Sequence, residues 1–344
     1  MRVSLGFEPD WFARRCDVDF SRQWHTDPCY RHATLVNMKA ELHRTFPSVP
    51  YWNPNNETDT WTISGCYGAY VMNRVFGFDL DYGPAGWPWP VVETKGSVSM
   101  EKFIEMDVDD LLNGPFIEEL FNQMDIIEKE AGQIHGYLNW QGVLNNAFNL
   151  QGQDIFVDMM IKPQVVHSFF TFITEVMIGF AQKVQARQRQ SGFYINQLSV
   201  SNCTVSMISP KHYREFVFPY DKKIAENFER FGVHTCNWDV TPYAGTLRQL
   251  PKVGYLDMGI ASDMKKIRAM FPEARRAVMY SPVALHSAPL EAIRQDMEKI
   301  YTELAPCDVV MADIQAITPD SRVNELLDIC QNIEKNGVEH ELEH

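Results

Sequence analysis

The sequence predicts an α/β fold, a (β/α)8 barrel of the TIM type with long N-terminal loops over its mouth. Three observations carry that expectation. The chain has 344 residues, 45% of them hydrophobic, which exceeds the needs of one small core and suits a single barrel. From about residue 136 onward, short β-rich runs alternate with helical patterns, the signature of βα units around a parallel sheet. No repeat, low-complexity tract or linker divides the chain, so residues 1–341 are expected to form one domain.

In chain order, Val3-Ser4-Leu5-Gly6-Phe7 reads as the first strand. The segments 46–60 and 83–90, the latter Gly83-Pro84-Ala85-Gly86-Trp87-Pro88-Trp89-Pro90, are too rich in Pro and Gly for regular elements and read as loops over the mouth. Further strands are expected near 136–140, 194–202, 232–237, 254–258, 276–281 and 308–314, with the missing one between 60 and 115. Ser209-Pro210 sets an N-cap residue before a proline at the first helical position, and Phe216, Tyr220, Ile224, Phe228 and Phe231 then mark an apolar stripe that Pro219 should kink. Ile293, Met297, Ile300, Tyr301 and Leu304 recur at helical spacing. So do Val323, Leu326, Leu327, Cys330 and Ile333 after Thr318-Pro319, with Gly337 as the expected stop.

Composition narrows the function. A formal charge of −14 and a pI near 5.2 oppose binding to a phosphate backbone, so nucleic acid is not an expected partner. No run approaches the roughly 18 consecutive apolar residues of a membrane span, and the first residues lack a signal-peptide core. Seven cysteines, scattered from Cys16 to Cys330, read as reduced thiols, and the expected location is cytoplasmic. Leu342-Glu343-His344 reads as the start of a tag scar. The zinc-protease pattern HExxH spelled by residues 340–344 therefore lies at a frayed end without a cleft or third ligand.

The segment richest in chemistry is Gly232-Val233-His234-Thr235-Cys236-Asn237-Trp238-Asp239. If the strand runs through it, His234 and Cys236 point to one side, and imidazole and thiolate are both good zinc ligands. Active sites of (β/α)8 enzymes are built at the carboxyl ends of the strands, where this pair would lie. Trp11, Trp140, Trp238 and Tyr280, with Trp87 and Trp89, are placed to line an apolar pocket, and Arg14 to anchor a substrate carboxylate. There is no P-loop, GxGxxG, GxSxG or kinase signature, so nucleotide chemistry and serine hydrolysis have no foothold.

The run Ser209-Pro210-Lys211-His212-Tyr213-Arg214-Glu215-Phe216-Val217-Phe218-Pro219-Tyr220 resembles the SP-x-x-[FY]-x-x-F-x-x-P-Y helix of the uroporphyrinogen decarboxylase superfamily. At the family's distance a glycine, a strand and His-x-Cys follow. Residues 284–304, Asp313-Ile314 with Thr318-Pro319, and Pro9-Asp10-Trp11-Phe12-Ala13-Arg14 are similar to further segments of that family. The resemblance spans nearly the whole chain and is tightest over 195–335.

Within this superfamily, His-x-Cys and a later Cys form the zinc site of methyltransferases that exchange methyl groups with a corrinoid protein, whereas the decarboxylases use no metal. The resemblance therefore implies zinc on His234 and Cys236, and a partner protein that carries cobalamin. Val18 stands where decarboxylases carry a second arginine for propionate and acetate groups, which also points away from them. The family's third ligand falls on Ala312, so Cys203, Glu8 or Asp313 is left to complete the site. The pattern Gly6-Phe7-Glu8-Pro9-x-Trp11 favours a small methyl donor, an aryl methyl ether first, with Trp11, Arg14, Trp238 and Tyr280 as substrate contacts. The alternatives are a tetrapyrrole decarboxylase and a metal-free binding barrel.

Overall fold

A computed structural model describes residues 1–52, 58–91 and 94–342. Its centre is a parallel six-stranded sheet: β1 (Arg2–Phe7), β4 (Gln197–Ser201), β5 (Arg230–His234), β6 (Val253–Met258), β7 (Arg275–Met279) and β8 (Asp308–Ile314), in the spatial order β1-β8-β7-β6-β5-β4. The remaining strands, β2 (Leu80–Asp81) and β3 (Trp89–Pro90), form a two-residue antiparallel hairpin. It clasps the Pro/Gly loop expected at 83–90. Part of the other expected loop, residues 53–57, lies outside the described residues, as do Glu343 and His344 of the tag-like end.

Beyond β4 the barrel is continued by irregular segments. Ser201 N–H donates to Trp140 O (2.9 Å) and Gly142 N–H to Ser201 O (2.9 Å), and further out Ile63 N–H donates to His135 O (3.0 Å). The strand expected at 136–140 is thus a bridged but irregular stave. Gly136 gives the reason: its φ is +111°, and a Cβ there would lie 2.2 Å from Thr62 Oγ1. The strand sought between 60 and 115 is represented by the single bridge at Thr62. Side chains take over the missing ladder. The fully buried Arg31 donates from Nε to Thr62 O (2.9 Å) and from Nη1 to Trp24 O (3.0 Å). On its free side β1 is met by a side chain as well, Leu5 N–H donating to the Tyr51 hydroxyl (3.2 Å).

Helices cover the sheet with the apolar stripes read from the sequence. Ile293, Met297, Ile300 and Leu304 are buried on helix 290–304, and Val323, Leu326 and Cys330 on the last helix. The helix Pro163–Gln190 has the length and apolar composition of a membrane span, but Phe169, Phe170, Ile173, Val176, Met177 and Phe180 are buried within the fold. The last helix runs on to Leu342 rather than stopping at Gly337, because a glycine costs a helix only about 1 kcal/mol.

The helix after Ser209 departs from a simple kink. Ser209 caps it as expected, its Oγ accepting from His212 N–H (3.2 Å). Residues Tyr213–Val217 then form a π turn in which Phe218 N–H reaches Tyr213 O, and Pro219 sits in the first turn of the helix Phe218–Glu226. The wider turn absorbs the bond that proline cannot donate. Phe231, counted in the stripe, belongs instead to β5.

Candidate metal centre

β5 ends at His234, and Cys236 stands two residues beyond it in the left-handed region at φ +59°. The expected in-strand alternation therefore does not align the pair; the turn does, with His234 Nε2 3.1 Å from Cys236 Sγ. A cysteine at positive φ is strained and persists only where its surroundings enforce it. Gly259, just after β6, is part of that enforcement: a Cβ there would lie 1.9 Å from Asn237 O, so only glycine lets the 236–239 turn pack this closely.

The third member of the cluster is Cys203, just past β4. One ligand atom from each of Cys203, His234 and Cys236 lies within 4.8 Å of the others. β4 and β5 are paired neighbours, Ser201 opposite His234, so the loops leaving them emerge side by side. Both chain neighbours of Cys203 are tied down. Asn202 N–H donates to His234 O (2.7 Å) and its Nδ2 to the buried Asp221 (2.8 Å), while Thr204 N–H donates to Asn145 Oδ1 (3.0 Å).

His234 is oriented from behind. Its Nδ1 lies 2.6 Å from Oδ2 of the fully buried Asp257, which also accepts from the Tyr255 hydroxyl (3.0 Å) and, through Oδ1, from Thr235 N–H (2.6 Å). With Nδ1–H held by the carboxylate, Nε2 faces the sulfurs, and loss of the Nε2 proton gives the tautomer a metal-binding histidine needs. Burial opposes a charge on His234, but the Asp257 and Cys203 contacts overcome it and push the imidazole up to about 10. A hydrogen bond from the Cys236 thiol lowers Cys203 to about 5, against burial, and with burial the same bond raises Cys236. In the absence of metal these directions favour one thiolate, one thiol and an imidazolium.

The other residues singled out from the sequence lie as follows. Glu8 and Asp313 face one another across β1 and β8, outside the Cys-His-Cys cluster. Trp238 is half-buried, edge-on to Tyr243. Tyr280 is buried and donates its hydroxyl to Asp296 (2.7 Å). Trp11 is fully buried among Phe7, Phe12 and Phe46, and Trp140 is buried against Phe180. Arg14 projects from the first helix with 64% of its side chain exposed, 4.0 Å from Asp10. Reading from sequence missed Asp257, although a carboxylate in the apolar run Tyr255-Leu256-Asp257-Met258 was a usable signal.

A sequence profile of the family described as uroporphyrinogen decarboxylase (URO-D) matches residues 63–327. The chain belongs to the uroporphyrinogen decarboxylase family. Among solved structures, a methyltransferase from Methanosarcina mazei superposes with a TM-score of 0.66 at 16% identity, covering 96% of this chain and 91% of that one. At that identity the likeness speaks for a shared fold. A search of curated proteins finds no match.

Proposed function

We propose that this member of the family is a zinc-dependent methyltransferase that moves a methyl group from a small donor, an aryl methyl ether first, to the cob(I)alamin of a corrinoid protein. The observation that carries the reading is the Cys203–His234–Cys236 cluster with Asp257 behind the imidazole. Two sulfurs and one imidazole nitrogen form a set zinc accepts, and three protein ligands leave a position for substrate. Bound there, zinc would supply Lewis acidity to the heteroatom that gives up the methyl group. The chain's own part is to hold Cys203 as a thiolate, aim His234 Nε2 and keep the mouth open.

The mouth also suits a protein partner. Met207 after β4, Val283 after β7, Ile317 after β8 and Trp89 in β3 of the hairpin are all exposed, giving the end that carries the cluster an apolar rim. All seven cysteines are free, in keeping with a reducing cytoplasm. The decarboxylase alternative is weakened at Val18, which is buried and offers no cation to a polycarboxylate. The deciding experiment measures zinc in the purified protein and in Cys203→Ala, His234→Ala and Cys236→Ala. It then follows the cobalt spectrum as cob(I)alamin meets a panel of aryl methyl ethers. About one zinc per chain, lost in each variant, with methylation that depends on it, supports the reading. Zinc-free wild-type protein, or methylation unaffected by the variants, would refute it.

A further inference from the structure

We infer that Glu8 and Asp313 act together as the proton donor to the heteroatom that loses its methyl group, an assignment that rests on the methyltransferase reading above. The backbone builds this pair. In the β1–β8 ladder Leu5 pairs with Met311 and Phe7 with Ile314, so Ala312 and Asp313 together oppose Gly6. That bulge, with Asp313 at φ +59°, re-aims the Asp313 side chain toward the residue just past β1. Glu8 is fixed there, its N–H donating to Ile314 O (2.9 Å), and the two side chains hydrogen bond.

Two carboxyl groups can share a hydrogen bond only if one of them holds a proton. Nothing nearby removes the need for it: among the described residues neither Glu8 nor Asp313 takes part in an ion pair, and Asp10 adds a further negative charge. Asp10 itself is turned aside, accepting from Ala316 N–H (3.3 Å) and lying 4.0 Å from Arg14. The indole of Trp87, from the hairpin loop, is the one neighbour that favours the Glu8 charge. Burial and Asp313 prevail, and the Glu8 carboxyl is raised to about 7, where it can give up and regain a proton near neutral pH. The pair belongs to the end of the barrel that bears the cluster, since β1, β8 and β5 run parallel and Glu8, Asp313 and Cys236 lie at their carboxyl ends. Glu8 is half-buried and Asp313 exposed, so the pair reaches both the mouth and bulk water.

The chemistry balances. As the methyl group leaves, its bond to the ether oxygen breaks, the bonding electrons stay on that oxygen, and a new bond forms between carbon and the corrinoid nucleophile. The Glu8 proton passes to the oxygen and the product is a neutral phenol. Two adjacent carboxylates remain, whose repulsion draws a proton back from water through Asp313.

The test compares wild type, Glu8→Gln and Asp313→Asn, all zinc-loaded, on aryl methyl ethers whose phenols range from weakly to strongly acidic. Infrared spectra record any protonated carboxyl. Expected are a carboxylic acid band near neutral pH that Glu8→Gln removes, unchanged zinc content in both variants, and a rate loss of about a hundredfold on the least acidic phenols that fades on the most acidic. Loss of zinc in Glu8→Gln would make Glu8 a ligand instead and overturn the assignment. An equal loss on every ether, or no carboxylic acid band in wild type that Glu8→Gln removes, would do so too. If wild type methylates nothing, the methyltransferase reading falls and takes this assignment with it; if only the dependence on phenol acidity fails to appear, that reading stands and the proton donor is dismissed.

Discussion

Zinc must displace protons to enter the Cys203–His234–Cys236 cluster, and their number follows from the electrostatics. At pH 7.5 the solution lies above Cys203 at about 5 and below His234 at about 10, while Cys236 is raised above an ordinary thiol. Cys203 has then already lost its proton, whereas His234 and Cys236 each still hold one. Binding should therefore release about two protons per zinc. The sign follows: protons compete with the metal, so affinity climbs with pH, by roughly a hundredfold per unit inside that window. Calorimetric titration of the metal-free protein in buffers of different ionisation enthalpy counts the released protons directly. Cys236→Ser should reduce the count by about one. A release near three would mean that Cys203 is not held as a thiolate. A release near zero would place the metal elsewhere and refute the reasoning.

Asp257→Asn keeps the size of the side chain but weakens its hold on Nδ1–H, and zinc affinity measured by chelator competition should fall roughly tenfold to a hundredfold. Asp221 is fully buried and desolvation raises it to about 7, so the folded chain holds a proton that the unfolded chain releases near pH 4. Stability should then decline as pH rises from about 4 to 7, and Asp221→Asn should escape up to roughly 4 kcal/mol of that decline, read as a denaturation midpoint that exceeds wild type at pH 8 but not at pH 4. Gly259→Ala drives a methyl group into Asn237 O; it should cost about 1–3 kcal/mol in urea unfolding and lower zinc affinity as well, whereas an unchanged affinity would free the 236–239 turn from that constraint.

Much of the barrel was legible because its strands are short apolar runs between clear helix signals. β6, β7 and β8 fall within two residues of the expected spans, since each is apolar on most of its length and ends at a turn. Of the two irregular staves, the one at 136–140 was expected as a regular strand, which Gly136 at positive φ interrupts, and the one at Thr62 was not placed, its carbonyl being satisfied by an arginine thirty-one residues earlier in the chain. The cluster was half legible. His234 and Cys236 are close in sequence, but their alignment comes from a left-handed turn and not from the strand. Cys203 stood among three open choices for the third corner, because what separates it from Glu8 and Asp313 is the pairing of β4 with β5, a tertiary fact.

The residue that departs from the family pattern, Ala312, then has a physical consequence. A thiol at 312 as well as at 203 would surround a metal with four soft protein donors, the closed arrangement of structural zinc sites. With alanine on β8 and the third ligand supplied by Cys203 from beside β5, the protein would offer three donors and leave one side open. The bulge that carries Ala312 also turns Asp313 toward Glu8, so the side left without a thiol is the one where two carboxyls meet. On the proposed reading, a ligand moved and a ligand lost become one change: the soft donors gather over β4 and β5, and the β1–β8 side of the mouth would be left to substrate and to groups that can carry a proton.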